Sequence, residues 1–301
     1  MILIITSSFD KTVDYIEKKH NVKNLFRFNI NDFSSYQVSY DSDGFKIVDR
    51  NFESLKEKDC TSIYYRKPTP EDLLSSGIAK EYHPHIYREV FTLIDGIVDS
   101  FEGICLSKPS IIRRADNKIS QAKLAKKIGF TLPELVITNH FPFIEKKLTH
   151  PIIKPLSSGV VETSNRKEFV QTNLVDRKKE TTNLKYSPSY FQEYQDKDFE
   201  VRVTIVKNSF FPVRIDSKDK IDWRKSDNQI LYSNTDIPDE IKEKCLMFML
   251  EFGIEYGCFD FIVHNEIWYF LEMNANGQWA WLDAELNMNI SGAILEYLNH
   301  E

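Results

Sequence analysis

Three oxygen-bearing side chains near the C-terminus carry the sharpest chemical signal in the chain. In Phe259-Asp-Phe-Ile-Val-His-Asn-Glu-Ile-Trp-Tyr-Phe-Leu-Glu-Met-Asn-Ala-Asn-Gly277, two apolar runs close on acidic side chains and are joined by a turn at His264-Asn265-Glu266. Such a hairpin brings Asp260, Glu272 and Asn274 to one end of a sheet. Glu272 and Asn274 have the same parity, so an extended strand puts both on one face. Hard oxygen ligands gathered in this way suit magnesium, which keeps positions open for phosphate. The alternative is a β-hairpin with incidental acids, and the residues upstream weigh against it.

Pro151-Ile-Ile-Lys154 reads as a short strand that delivers a lysine, followed by the small-residue loop Ser157-Ser158-Gly159. The lysine is a point charge for phosphate oxygens, and the loop lets backbone N–H groups approach them. Its neighbours Ile152, Ile153 and Pro155 argue against an exposed helical lysine. Tyr190-Phe-Gln192-Glu193-Tyr194 is an aromatic strand ending in polar residues, followed by Asp198 and a second strand, Phe199 to Val206, carrying Glu200 and Arg202. This stretch offers hydrogen-bonding groups to an adenine edge, with Tyr190, Phe191 and Tyr194 as apolar walls. Taken alone, a two-stranded turn with no ligand is the better reading of this stretch. Arg66 and Lys67 stand just past a strand and before Pro68, a position that commonly faces a ligand crevice. A solvated strand terminus is the competing view.

The elements that must position these groups fall into three expected domains. Residues 1–115 alternate strand and helix signals: strands at Ile2 to Thr6, Leu25 to Asn29 and Ser62 to Tyr65, helices at Asp10 to His20 and Pro84 to Phe101, and a hairpin turning at Asp43-Gly44. This is an α/β domain, open and largely parallel. Residues 116–189 form a smaller central domain that begins with a helix from Asn117 to Ile128, stopped by Gly129. Within it, Asn173 to Ser187 is polar and lysine-rich and is expected to be a loop over the site or a disordered excursion. Residues 190–301 hold antiparallel strands, a helix from Glu240 to Phe252, the acidic hairpin and a closing helix from Ile290 to Leu298. Trp279 and Trp281 share strand parity and are expected to pack in the core.

Composition narrows the class. At 301 residues with 42% apolar content the chain has ample core for two or three domains. A formal charge of −6 gives no general attraction to nucleic acid or to an anionic membrane. The deficit reverses locally, because His140 to Tyr186 holds nine Lys or Arg against five Asp or Glu, around the candidate phosphate lysine. Four scattered cysteines form no C-x-x-C pair, which argues against a zinc site and a disulfide framework. Met1 to Thr6 lacks a basic leader and is too short to span a bilayer, so the expected location is the cytoplasm. There is no Walker A loop, no G-x-G-x-x-G and no G-x-S-x-G.

The order Asn117-Lys118, Lys154 and its loop, Gln192-Glu193-Tyr194, Arg202, Arg214, Asp260 and Glu272-Met-Asn274 resembles the ATP-grasp fold, in which two α+β subdomains hold ATP between them. Tyr64-Tyr65-Arg66-Lys67-Pro68, Ile221-Asp222-Trp223-Arg224 and Leu271-Glu-Met-Asn-Ala-Asn-Gly-Gln-Trp-Ala-Trp281 are similar to segments of the graspetide synthetases, the microviridin-type peptide maturases. The resemblance implies an ATP-grasp ligase with an N-terminal α/β pre-ATP-grasp domain. It further implies ATP and Mg2+ as cofactors, a ribosomal precursor peptide with a leader and an acidic core as partner, and a homodimer. Asp or Glu side chains of that peptide would be activated as acyl phosphates and closed by Thr or Ser hydroxyls into esters, or by Lys amines into amides. On this reading Asp260, Glu272 and Asn274 hold the metal, while Lys118, Lys154, Ser157, Ser158, Gly159, Gln192, Glu193, Tyr194, Asp198 and Glu200 hold the nucleotide. Arg202 offsets charge during transfer, Arg214 or Arg224 clamps the acceptor carboxylate, and Asp222 acts as a base or orients an arginine. Arg66 and Lys67 meet the peptide. Two departures stand out: Ala275 where many relatives have proline, and a single glycine, Gly159, in the phosphate loop. The alternatives are an ATP-grasp ligase acting on amino acids or on a protein terminus, and a non-catalytic ATP-binding module.

Overall fold

Ile2 to Thr6 carries no polar alternation, the mark of a strand covered on both faces, and all five residues are buried. In the computed structural model, which describes residues 1–157, 160–162, 167–169, 172–175, 182–219 and 229–299, this strand is the centre of a parallel sheet. The N-terminal elements run β1 (Ile2–Thr6), α1 (Lys11–His20), β2 (Leu25–Asn29), β3 (Gln37–Asp41), β4 (Gly44–Val48), β5 (Ser54–Lys56), β6 (Ser62–Tyr65), α2 (His83–Ser100) and β7 (Ile104–Leu106). The sheet order is β2-β1-β6-β7, all parallel. Asp10 caps α1 by accepting the Thr12 N–H at 2.9 Å. The β3–β4 hairpin turns at Gly44, whose φ of 93° favours glycine, and joins β5 in a separate three-stranded sheet. β5 and β7 are three residues each, too short to leave a periodic signal.

The chain continues with α3 (Pro109–Ala115), α4 (Lys118–Ile128), β8 (Leu135–Thr138), α5 (Phe141–Lys147), β9 (Pro151–Lys154), β10 (Val160–Glu162), β11 (Lys167–Phe169), β12 (Asn173–Leu174) and β13 (Ser189–Glu193). β12-β9-β13-β8 form an antiparallel sheet, and β10 pairs with β11. Its buried face packs Phe191 against Ile144 and Leu148 of α5 and the turn after it. Asn173 and Leu174, expected in an irregular stretch, instead pair with Ile153 and Ile152. Residues 176–181 of that stretch lie outside the described residues.

The remaining elements are β14 (Phe199–Val206), β15 (Ser209–Ser217), β16 (Ile230–Asn234), α6 (Asp239–Phe252), β17 (Tyr256–His264), β18 (Ile267–Asn274), α7 (Ala280–Leu286) and α8 (Ile290–Asn299). Five of them form an antiparallel sheet in the order β16-β15-β14-β17-β18. One face of that sheet presents Val201, Val203, Phe259, Phe261 and Phe270 to Phe248 and Phe252 of α6. Trp279 and Trp281 are not on a strand: Trp279 precedes α7 and is fully buried, and Trp281 lies within α7.

Packing does not follow the expected domain boundaries. α4 is capped by Asn117, whose Oδ1 accepts from Ile119 and Ser120, and it ends at Gly129 with φ 95°. It belongs to the core of the C-terminal sheet, with Ala125 and Phe130 in the same cluster as Phe248 and Phe270. Conversely, Tyr190–Glu193 complete the small sheet. The cause is side-chain demand: Phe130 stacks on Phe270 at 5.0 Å and meets Phe248 and Phe261 at 6.2 and 5.9 Å. Phe130→Ala is therefore expected to lower unfolding free energy by about 3–5 kcal/mol, measured by urea denaturation.

Candidate active site

β18 serves two faces. Phe270 and Glu272 are two residues apart and would share one face of a regular strand. Yet Phe270 pairs with Phe261 in the core, whereas Glu272 pairs with Asp260 and Asn274 with Cys258. The register shifts between Asp260 and Phe261, leaving Leu271 as the extra residue of a bulge that re-aims the strand. Arg202 lies opposite Asp260 on β14, so Arg202, Asp260, Glu272 and Asn274 gather on the face away from α6.

Their contacts form one cluster. Arg202 Nη1 donates to both Asp260 oxygens at 2.8 and 3.0 Å, and its Nη2 donates to the Gln278 carbonyl at 3.1 Å. Lys118 pairs with Glu272. Asn274 Nδ2 donates to Asp260 Oδ2 at 3.2 Å and Glu272 Oε1 at 3.3 Å. Burial opposes the Arg202 charge, but Asp260 outweighs it and holds the guanidinium pKa above its ordinary value. The guanidinium also lies over the Trp281 ring at 5.6 Å. The buried Arg202 Nε has no hydrogen-bond partner among the described residues. Among those residues no group of three or more His, Cys, Asp or Glu could hold a metal. The donor set is instead two carboxylates and a carboxamide, hard oxygens that fit magnesium, beside an arginine with a donor to spare for an anion.

The small sheet groups three of its polar side chains on one face. Lys154 pairs across with Tyr190, and Gln192 follows at the same parity, so the three share a face. Lys154 Nζ donates to Gln192 Oε1 at 2.7 Å. Burial, aided by the charge of Glu272, raises the Tyr190 pKa, which puts this face within electrostatic reach of the metal-ligand candidates. Ser157 follows β9 and is exposed. Glu200, on the Arg202 face of β14, forms a buried pair with Lys197.

Several expected site residues are placed otherwise. Arg214 pairs across from Val201, not Arg202, so alternation sends it to the opposite face of the sheet. There it lies over Phe199 at 3.9 Å and binds Asp216 through two 2.8 Å hydrogen bonds, and it is no clamp for a carboxylate at the cluster. The Glu193 carboxylate accepts the Thr149 and His150 N–H groups, both at 2.7 Å, and so caps the turn before β9 in place of the Lys154 face. Tyr194 is half-buried and donates its N–H to the His150 carbonyl. Asp198 accepts the Asn265 N–H at 2.8 Å at the tip of the β17–β18 hairpin. Arg66, expected at the peptide, is fully buried: it donates to Asn276 Oδ1 and Thr12 Oγ1 at 3.1 Å each and to Gln278 Oε1, tying the parallel sheet to the turn after β18. Lys67 remains exposed at φ 44°, and crowding by protein, then the charge of Arg66, lowers its pKa, with Arg202 and Asp116 also in reach. Ser158, Gly159, Asp222 and Arg224 lie outside the described residues.

Three residues were not singled out from sequence. Asp116 accepts the Ala275 N–H at 2.9 Å; burial raises its pKa, against the pull of that N–H, Lys118 and Lys67. Gln121, 2% exposed, pairs with both backbone groups of Met273. Lys197 is the buried partner of Glu200. Asp116 had one signal, its place immediately before Asn117-Lys118; a glutamine or lysine in a polar stretch has none.

Residues 1–113 match the MvdD pre-ATP grasp domain. A RiPP-associated ATP-grasp ligase from Chryseobacterium gregarium, solved in complex with ADP and a leader and core peptide, is 27% identical over 99% of this chain and 96% of that one, with a TM-score of 0.85. The macrocyclase MdnC from Microcystis aeruginosa MRC, bound with precursor peptide MdnA, is 26% identical over 99% and 98%, with a TM-score of 0.86. The macrocyclase MdnB from the same organism is 23% identical over 100% and 99%, with a TM-score of 0.79, and speaks to the fold alone. No curated protein matches. The fold is ATP-grasp with a pre-ATP-grasp domain, and these likenesses support an ADP-forming ATP-grasp ligase. Within that class they support a graspetide synthetase.

The turn that receives Arg202 and Arg66 has no room at Gly277, where an added Cβ would lie 2.5 Å from Cys258 Sγ and 3.0 Å from Arg202 Nη2. Gly277→Ala is expected to lower stability by about 1–3 kcal/mol through overpacking, read as a fall in the urea midpoint.

Proposed function

We propose that the chain activates Asp or Glu side chains of a ribosomal precursor peptide with ATP and closes macrocycles with Thr or Ser hydroxyls or Lys amines. The observation that carries this reading is the cluster of Asp260, Glu272 and Asn274 with Lys118 and Arg202, together with the Lys154–Gln192 pair of the small sheet. Crystallised relatives support it, since the Chryseobacterium ligase was solved with ADP and a leader and core peptide, and MdnC with its precursor peptide.

A carboxylate is a poor electrophile because oxide leaves badly. Attack of its oxygen on the ATP γ-phosphorus expels ADP and forms an acyl phosphate, and a hydroxyl or amine then attacks the acyl carbon and expels phosphate. Lys154 and Arg202 are assigned the phosphate oxygens, with Lys118 on the same nucleotide. Gln192 shares the Lys154 face and is assigned to the nucleotide with it. Asp260, Glu272 and Asn274 would hold Mg2+, which would offset negative charge on the phosphate groups when bound. With Arg214 on the far face, Lys67 is the cation we assign to the acceptor carboxylate. The proposal extends to a cytoplasmic homodimer that binds neither nucleic acid nor membrane, in keeping with the net charge of −6 and with the lack, among the described residues, of a helix able to cross a bilayer.

Incubation of a cognate precursor peptide with ATP and Mg2+ is expected to remove one water per ring, seen by mass spectrometry, with release of ADP and phosphate. Release of AMP and pyrophosphate would exclude the acyl phosphate. Glu272→Ala and Asn274→Ala are expected to abolish turnover, while their melting temperatures stay close to that of the parent, because each deletes an oxygen ligand at a strand end. Near-parental activity in either variant would remove the metal assignment.

A further inference from the structure

Asn274 ends β18, which is an edge strand. Among the described residues, an isolated bridge from Thr131 meets the outer side of β18 at Tyr269, and beyond it the segment opening α4 takes the place of a neighbouring strand. Gln121 Oε1 accepts the Met273 N–H at 3.0 Å and Gln121 Nε2 donates to the Met273 carbonyl at 2.7 Å, as a paired strand would. Asp116 Oδ1 accepts the Ala275 N–H at 2.9 Å, and Ala275 is 1% exposed, so water is no substitute for this acceptor. The two residues flanking Asn274 are therefore fixed from outside the sheet. Ala275 is also the second residue of a tight turn closed by the Gly277 N–H on the Asn274 carbonyl at 3.2 Å.

We propose that Asp116 is a positioning residue for the metal site: by accepting the Ala275 N–H it holds the Asn274 carboxamide against Asp260 and Glu272. The mechanism does not use its charge. A carboxylate serves because a strong acceptor is needed at a buried amide, and Gln121 anchors the preceding residue by the same logic. This rests on the reading of Asn274 as a metal ligand.

The second position of a turn accepts proline, and a proline there has no N–H to donate and a fixed φ. Ala275→Pro should therefore make Asp116 dispensable, which gives a double-mutant test. Mn2+ binding in the presence of ADP would be measured by electron paramagnetic resonance, beside calorimetry of ADP alone in EDTA. Asp116→Ala is expected to weaken Mn2+ by about 10–100-fold, the usual effect of removing an outer support of a ligand, with metal-free ADP binding unchanged. Asp116→Asn, which retains an acceptor oxygen, is expected to stay within about twofold of the parent. In the Ala275→Pro background, Asp116→Ala is expected to add nothing. Should Asp116→Ala fail to fold, Asp116→Ser provides the same contrast, because its hydroxyl falls short of Ala275.

Three results would overturn the inference: parental Mn2+ affinity in Asp116→Ala, equal losses in Asp116→Asn and Asp116→Ala, or additive losses in the proline background. Asn274→Ala separates the two levels. If it leaves Mn2+ binding intact, the metal reading fails and this inference with it. If it weakens Mn2+ while Asp116→Ala does not, only the inference fails.

Discussion

The extra residue in β18, Leu271, sets what the rest of the site has to do. Without it the strand would alternate evenly, and either Phe270 would leave the aromatic core or Glu272 would enter it. A buried phenylalanine is worth several kcal/mol, and an unpaired buried carboxylate costs a comparable amount. Both demands are met only by shifting register between them. The bulge also ends regular pairing just where Glu272 and Asn274 must point away from the hydrophobic cluster.

Beyond the bulge, a short turn joins the separate layers of the molecule. Asn276 and Gln278 receive Arg66 from the parallel sheet, Gly277 receives the Tyr256 hydroxyl through its carbonyl at 2.7 Å, and the Gln278 carbonyl receives Arg202. Arg66 is thus an internal strut, and its guanidinium fork suits a site where several acceptors converge. A second tie runs between α1 and the C-terminal helices: Lys19 reaches the buried Asp283 at 3.1 Å, and Asp283 also caps α8 by accepting the Ile290 and Ser291 N–H groups.

The cluster is balanced in the ligand-free chain. Lys118 and Arg202 neutralise Glu272 and Asp260, so each of these two carboxylates has a counter-charge. On the function proposed above, those same cations are the groups a triphosphate would draw toward itself, leaving the carboxylates for a divalent ion.

Much of this was legible in the amino-acid order. Strand parity placed Glu272 with Asn274, a glycine stop marked the end of α4, and the apolar run at Ile2 to Thr6 marked a strand. These are local properties, carried by neighbours within a turn or two of helix or strand. Side-chain direction over longer range was not legible. Arg214 and Arg66 look like exposed cations along the chain, yet the β14–β15 register turns one to the far face and domain packing buries the other. The membership of α4 in the C-terminal core depends on where Phe130 finds aromatic partners 118 to 140 residues away. Asp116 and Gln121 matter only because the edge of β18 lies against them, and no pattern in one dimension encodes which strand edge a helix will meet. Residue type and spacing determined the chemistry available to this protein; tertiary packing decided which of those groups share a face, because burial and register are set by contacts distant in sequence.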